Sequence, residues 1–321
     1  MIHPLVLGAI LFAFITGAND GASLLATNLE SKAFGPARGL IILTVFVILG
    51  PFLLGTAVAT TLAHGLVNFG GQAGAGPLLL AVLVAVGVIF FLGRRGLPSS
   101  VTQALTGAIV GAGLGLGYPV DWWTVGRVVL ILFVTPVVAG GLSALLIRLI
   151  NGAGPHGDIA GHLRRLNAGS FLLSAVAYAA NDAQKMVAVF AVALGSLAAN
   201  GSVIATIPAA LIIGALWAAG TIFGLGRLGH QLGDKLLPVR GAAPIAAGFG
   251  AATAVIGSAL LGSPVSMAQA NTTGLVAATV TMSGWRTVRL DQVLRIAGTW
   301  ILTLPAALIL AAVAGLVSRA F

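Results

Sequence analysis

The sequence predicts an all-α membrane protein made of two inverted repeats, each with about five hydrophobic segments. Apolar residues make up 58% of the 321 residues and charged residues only 7%, with a mean hydropathy of +1.08. Such a chain has too little polar surface to fold as a soluble domain. Two further observations, an internal repeat of polar residues and an uneven distribution of basic residues, predict the inverted arrangement.

Ten apolar segments approach the roughly 17 to 25 residues that a membrane span needs. They cover residues 4–29, 39–63, 77–92, 98–117, 122–150, 167–198, 202–226, 241–261, 264–283 and 290–318. Polar or glycine-rich residues separate them, and the most extended polar stretch, 151–165, is typical of a linker. We therefore expect a first repeat over 1–150, a cytoplasmic linker over 151–165 and a second repeat over 166–321.

The repeat is visible in the order of polar residues. The pairs are Asn19-Asp20 with Asn181-Asp182, the stretch 98–104 with 264–270, and Asp121, Arg127 and Pro136 with Asp291, Arg295 and Pro305. The offset between partners stays between 162 and 170 residues. Because five segments is an odd number, the second repeat must enter the membrane in the opposite orientation, as in many secondary transporters.

The basic residues predict the topology. If the first segment starts outside, only Arg127 and Arg319 of the assigned cations fall on the outer face. The inner face receives Lys32, Arg38, Arg148, Arg164, Arg165, Arg227, Lys235, Arg240, Arg286, Arg289 and Arg295. By the positive-inside rule, the crowded face is cytoplasmic. We expect a multi-pass protein of the plasma (inner) membrane with both termini outside.

Two pairs of segments, 77–92 with 98–117 and 241–261 with 264–283, permit two arrangements. Each pair could span the membrane twice, or form a re-entrant helical hairpin that enters and leaves on one side. Arg94 and Arg95 would lie at membrane depth in a re-entrant hairpin, which argues against it. We favour re-entrant hairpins, because their turns hold polar residues and irregular backbone at depth is tolerated where it lines a cavity.

The duplicated Asn-Asp pair predicts a cation site. A carboxylate in hydrocarbon costs on the order of 3 kcal/mol and usually marks function. Carboxylate and amide oxygens suit a small hard cation such as sodium, so Asn19, Asp20, Asn181 and Asp182 are candidate ligands. A buried Asp could instead carry a proton. The structural alternative is a buried hydrogen bond between helices, and the residues alone leave sodium and proton both open.

The two turns that begin at Pro98 and Pro264 predict an anion site. Proline suits the first turn of a helix, and a helix that starts inside the membrane points free N–H groups and its positive dipole end inward. The candidate substrate ligands are Ser99, Ser100, Thr102, Gln103, Ser266, Gln269, Asn271 and Thr272. The structural alternative is that the hydroxyl groups cap or join helices.

Lys185 is the one cation well inside a predicted span, three residues after Asp182. It could extend to the membrane surface. Otherwise it neutralises Asp182 or contacts an anionic substrate, and Gln184 beside it is a candidate neutral ligand.

At these residues the chain resembles a known family. Gly17-Ala18-Asn19-Asp20 and the run 178–185 resemble the repeated GAND signatures of the inorganic phosphate transporter (PiT) family, and the two Pro-x-Ser turns resemble its PVSTTH motifs. The resemblance covers both halves and implies a cation-coupled phosphate symporter, often dimeric. Gln103 and Gln269 stand where the motif usually has His, and Val101, Met267 and Ala268 replace its threonines.

Other functions remain as alternatives. One is a permease for sulfate or another oxyanion on the same scaffold. An intramembrane aspartyl enzyme would need two close carboxylates that share a proton, and a channel would not concentrate its substrate. The chain has no cysteine, which excludes disulfides and thiolate metal sites. The expected partners are phosphate, a coupling cation and the lipid bilayer, with no cofactor and, despite the net charge of +9, no nucleic acid.

Overall fold

The computed structural model describes residues 4–31, 34–70, 74–95, 97, 99–152, 159–228 and 242–320. Within these ranges the structure is helical, with isolated β-bridges but no strand. The α-helices are α1 (Pro4–Thr16), α2 (Ala22–Ser31), α3 (Pro36–Leu53), α4 (Ala57–Thr60), α5 (Ala75–Arg94), α6 (Val101–Leu116), α7 (Trp122–Gly152), α8 (Ile159–Ala180), α9 (Asp182–Leu194), α10 (Ile207–Leu228), α11 (Ala243–Leu260), α12 (Met267–Ser283) and α13 (Leu290–Ala320).

Seven described helical stretches are long and apolar enough to cross a membrane. They are Pro4–Ala26, Pro36–Leu53, Ala75–Arg94, Trp122–Ile150, Ile207–Gly226, Ala243–Leu260 and Leu290–Ala320. Helix α6 is apolar but has only 16 residues. The protein is therefore a multi-pass membrane protein, as predicted. The re-entrant arrangement of the hairpins α5–α6 and α11–α12 stays a prediction.

The predicted segment 39–63 is not one helix. Helix α3 ends at Leu53, two residues after Pro51, and the backbone restarts as α4 at Ala57. Gly55 between them has a φ of +79°, a conformation that favours glycine. Proline weakens the helix because its nitrogen donates no hydrogen bond. Hydropathy did not indicate this break, because the residues on both sides of it are apolar.

The predicted segment 167–198 is also interrupted, between α8 and α9 at Asn181. Helix α8 already begins at Ile159, inside the predicted linker 151–165, and residues 153–158 of that linker lie outside the described residues. The segment 4–29 comprises α1 and α2 with a π-helical turn between them, and each of the other seven segments corresponds to one helix. The ends of these eight segments differ from the predicted ones by at most five residues.

The two halves interlock through their hairpins. Helix α6 packs along α13, and α12 packs along α7, so each half's hairpin lies against the last helix of the other half. Gly107, Gly111 and Gly115 allow the first contact, because a Cβ on any of them would meet a backbone carbonyl of α13. Small residues at intervals of four are typical of close helix pairs in membranes. This packing brings the starts of α6 and α12 into the interior.

Candidate functional site

Both Asn-Asp pairs interrupt a helix. Gly17–Gly21 form a single π-helical turn between α1 and α2, and Asn181, with φ −127° and ψ −67°, separates α8 from α9. Such local irregularities are frequent at functional sites. Asp20 and Asp182 are buried, at 3% and 0% exposure, and Asn19 is half-buried. The interruptions turn these polar side chains towards the interior of the protein.

Trp217, which was not among the predicted site residues, supports the first interruption. Gly17 and Gly21 lie against its backbone and ring, where an added Cβ would clash. Its indole Nε1 donates a 2.8 Å hydrogen bond to the hydroxyl of Tyr178, one turn before the second Asn-Asp pair. A tryptophan in the middle of an apolar segment, away from the interface where aromatic belts lie, was the available signal.

The asparagine side chains bind the backbone of the two turns. Asn19 Nδ2 donates to the carbonyl of Ser99 at 3.3 Å. Asn181 Nδ2 donates to the carbonyl of Ser263 at 2.9 Å, and its Oδ1 accepts from the N–H of Val265 at 2.9 Å. In this structure the Asn181 oxygen, a predicted cation ligand, is therefore bonded to the backbone.

The ammonium group of Lys185 lies between the two carboxylates. Its Nζ is 2.6 Å from Asp182 Oδ1 and 3.4 Å from Asp20 Oδ2. It also donates to Thr102 Oγ1 at 2.7 Å. An ammonium has three N–H donors, and these three contacts use all of them. The side chain is fully buried, so Lys185 pairs with the aspartates instead of extending to the membrane surface.

The second turn is tied to the same cluster from two sides. The hydroxyl of Thr102, at the start of α6, donates to the carbonyl of Val265 at 2.7 Å. The N–H of Met267, the first residue of α12, donates to Asp182 Oδ2 at 3.1 Å. A carboxylate is well placed there because a helix N-terminus carries positive partial charge. The structure thus brings both turns and both aspartates together.

Ser100 and Ser266 cap the helices that follow them. Ser100 Oγ accepts from the N–H of Gln103 at 3.3 Å, and Ser266 Oγ accepts from the N–H of Gln269 at 3.4 Å. This is the usual arrangement of an N-cap serine. Two of the predicted substrate ligands therefore have the capping role that was considered as the alternative.

Pro264 is not in the first turn of the helix that follows it, contrary to the prediction. Helix α12 begins at Met267, so Pro264 precedes its N-cap by two residues. The N-cap Ser266 has an extended backbone, and the N–H of Val265 before it is bonded to Asn181. Pro98 lies outside the described residues.

Several buried polar atoms beside these caps have no hydrogen-bond partner. They are both amide atoms of Gln103, Gln269 Oε1, Ser99 Oγ and Ser263 Oγ. Each of the four residues is at most 6% exposed. Buried polar groups are nearly always bonded, so such a cluster indicates a site for a polar ligand. Ser263 was missed because it stands just before the Pro-x-Ser motif.

The remaining predicted substrate ligands are Gln184, Asn271 and Thr272. Gln184 bonds to the backbone at both ends of its amide: Oε1 accepts from the N–H of Ala59 at 3.0 Å, and Nε2 donates to the carbonyl of Ala180 at 2.6 Å. Asn271 and Thr272 are half-buried on α12. Among the described residues, no three His, Asp or Glu side chains form a group that could hold a metal ion.

Comparison with known proteins gives consistent matches over most of the chain. The model of the phosphate transporter family matches twice in succession, over residues 16–156 and 156–311. A protein of Mycobacterium leprae, named "Probable low-affinity inorganic phosphate transporter", is 30% identical over 94% of this chain and 74% of its own length. A protein of Rhizobium meliloti with the same name is 27% identical over 97% of this chain and 96% of its own length.

Two further matches carry a reference to sodium. A Plasmodium falciparum protein named "Sodium-dependent phosphate transporter" is 31% identical, over 43% of this chain and 22% of its own length. A solved structure titled "The sodium-dependent phosphate transporter" superposes with a TM-score of 0.82 over 99% of this chain and 98% of that chain, at 20% identity. That likeness establishes the fold, and the double family match establishes the two repeats.

Proposed function

Since the chain belongs to the phosphate transporter family, we propose that it carries inorganic phosphate across a membrane as a symporter with a coupling cation, by alternating access. The family is one of transporters, so the chain is not an enzyme. The observation that carries the proposal is the cluster of buried, unpartnered polar atoms at the starts of α6 and α12, beside Asp20, Asp182 and Lys185.

The proposed phosphate contacts come from Ser99, Gln103 and Gln269, because Ser99 Oγ, both amide atoms of Gln103 and Gln269 Oε1 lack partners. The N–H groups in the first turns of α6 and α12 add dipoles of the favourable sign. Ser100 and Ser266 support this arrangement as caps. Thr102, Asn271 and Thr272 are further proposed phosphate ligands. Gln184 and Lys185 bind neighbouring protein groups: Gln184 the backbone of Ala59 and Ala180, and Lys185 the two aspartates.

The cationic part of the proposed site comprises Asn19, Asp20, Asn181 and Asp182, with sodium or a proton as the coupling ion. Phosphate is an anion, so a cation that enters with it lowers the cost of burying its charge. The residues of both parts are closely packed and largely buried. Phosphate must therefore enter and leave through a conformational change, which supports alternating access over an open channel.

The proposed location is the plasma (inner) membrane, with both termini outside, on the distribution of basic residues. The dimer implied by the family resemblance stays a prediction. An aspartyl enzyme is disfavoured on geometry as well, because the ammonium of Lys185 lies between the carboxylates that would have to share a proton.

The decisive experiment measures uptake of labelled phosphate into proteoliposomes under an imposed sodium gradient or an imposed proton gradient. We expect accumulation above the external concentration under one of them, and none in the double variant Asp20→Asn/Asp182→Asn. Equal accumulation by that variant would contradict the proposed site. Uptake that equilibrates without saturation would indicate a channel, and stronger competition by sulfate than by unlabelled phosphate would indicate a sulfate permease.

A further inference from the structure

The two halves differ at one position of the coupling site. At the repeat offset of 162 residues that pairs Asp20 with Asp182, Lys185 corresponds to Ser23. Two equivalent Asn-Asp pairs would ordinarily offer two equivalent positions for a cation. The second half instead supplies a side chain that carries a positive charge of its own, and the first half supplies a hydroxyl.

The contacts of Lys185 are those that a bound cation would make. Its Nζ reaches one oxygen of each aspartate, at 2.6 Å for Asp182 and 3.4 Å for Asp20. The third contact is the hydroxyl oxygen of Thr102 at 2.7 Å. Carboxylate and hydroxyl oxygens are also the ligands that a small hard cation prefers. The ammonium therefore occupies the position between the two carboxylates.

A sodium ion cannot share this position. It would need the same carboxylate oxygens, and it would lie within a few ångströms of a buried positive charge. The lysine cannot easily withdraw, because its side chain is fully buried and its three donors are all bonded. Removing it from both carboxylates would leave an unpaired buried charge.

We infer that Lys185 is a built-in counter-ion that determines cation specificity: its ammonium takes the place of a sodium ion between Asp20 and Asp182 and excludes sodium from this pair. The inference rests on the proposed function in one respect, because Asp20 and Asp182 are a coupling site only if the protein is a symporter. The exclusion of sodium is a binding property, however, and can be tested whether or not the protein carries phosphate.

The test is thermal unfolding of the purified protein, without phosphate, as sodium chloride replaces choline chloride at constant ionic strength. A ligand that binds only the folded state raises Tm with its concentration. We expect no sodium-specific shift for the wild type. Lys185→Ser, which copies Ser23 of the first half, should gain a sodium-specific rise in Tm of about 2 °C or more. The double variant Lys185→Ser/Asp182→Asn should lose it again.

Lys185→Arg is the matched control, because it keeps the charge and should remain insensitive to sodium. A wild-type sodium response that Asp182→Asn removes would overturn the inference. A folded Lys185→Ser protein without any sodium response would also overturn it. If Lys185→Ser does not fold, the wild-type protein and Asp182→Asn still decide the question. Phosphate uptake, measured separately, reports on the proposed function alone.

Discussion

The hydroxyl of Thr102 donates a 2.7 Å hydrogen bond to the carbonyl oxygen of Val265. This bond joins the start of α6 in the first half to the turn before α12 in the second half. The same hydroxyl oxygen accepts from Lys185, so Thr102 links the charged cluster to both turns. A change at either turn can therefore be transmitted to the other through one side chain.

Replacing Thr102 by Val should break this link with little change of shape. The change leaves the Lys185 ammonium with one donor unsatisfied and the Val265 carbonyl without its partner, which costs on the order of 1 to 3 kcal/mol per buried group. We expect a lower Tm in detergent and strongly reduced phosphate uptake. Thr102→Ser keeps the hydroxyl and is the control, with a near-normal Tm and uptake. Unchanged uptake by Thr102→Val would argue against the link.

Removal of one aspartate should destabilise the protein unequally. Asp182 accepts from Lys185 at 2.6 Å and from the N–H of Met267 at 3.1 Å. Asp20 lies farther from Lys185, at 3.4 Å, and also accepts from the neighbouring side-chain amide of Asn19 at 2.9 Å. Breaking a buried ion pair from one side costs about 3 to 5 kcal/mol, because a charge stays buried without its partner. We expect Asp182→Asn to lower Tm more than Asp20→Asn, and both to abolish uptake.

A double-mutant cycle checks that the cost comes from the ion pair. Adding Lys185→Met to Asp182→Asn removes the second partner of the pair, so the double variant should lose less Tm than the two single variants lose together. Strictly additive losses of Tm in the double variant would mean that Lys185 and Asp182 do not interact as the structure has them.

The sequence was informative where a polar residue is costly. The Asn-Asp pairs, the turns and Lys185 were all recognised because each is out of place in an apolar segment. The contacts that these residues make with one another across the two halves were not predicted. Whether Lys185 would also contact Asp20 and Thr102 depends on distances between segments more than 80 residues apart, and only the fold supplies those distances.

Breaks between apolar residues could not be predicted in the same way. The interruption after Leu53 carries only Pro51 and Gly55 as signals, and both residues also occur within membrane helices. The packing of α6 on α13 depends on glycines whose regular spacing is visible but whose partner is not. Hydropathy reports how much of a segment is apolar and does not report what it packs against.

The unpartnered amides should affect binding more than stability. Both polar atoms of the Gln103 amide and the Oε1 of Gln269 are buried without a hydrogen bond. Since an unsatisfied buried group already costs free energy, Gln103→Leu and Gln269→Leu should leave Tm unchanged or raise it. If these amides bind phosphate, the KM for uptake should rise about tenfold or more, which corresponds to the loss of one hydrogen bond to a charged group.

Gln184 offers the matched control for these variants. Its amide is bonded at both ends, to Ala59 and Ala180. Gln184→Leu should therefore lower the free energy of unfolding by the contribution of two buried hydrogen bonds, and so lower Tm. Gln103→Leu and Gln269→Leu proteins that unfold as early as Gln184→Leu, with an unchanged KM, would show that their amides serve the fold and not phosphate.

Ser99 and Ser100 are neighbours with different expected roles. Ser100 Oγ caps α6, and removal of an N-cap costs about 0.5 to 2 kcal/mol, so Ser100→Ala should lower Tm. Ser99 Oγ has no partner, so Ser99→Ala should leave Tm unchanged and raise the KM for phosphate. Thermal unfolding and uptake kinetics of the two variants test this division. Opposite results would exchange the roles of the two hydroxyl groups.

The contact between α6 and α13 should tolerate no added side-chain volume. At Gly111, a Cβ would meet the carbonyl oxygen of Leu308, which belongs to the backbone and cannot turn aside. Gly111→Ala should therefore force the helices apart and destabilise the protein by about 1 to 3 kcal/mol. Gly126 on α7 is exposed with no atom near an added Cβ, so Gly126→Ala should be neutral or stabilising by up to about 1 kcal/mol. Because α6 carries Thr102 and Gln103, we also expect Gly111→Ala to reduce phosphate uptake, and a Tm equal to that of Gly126→Ala would refute the close packing.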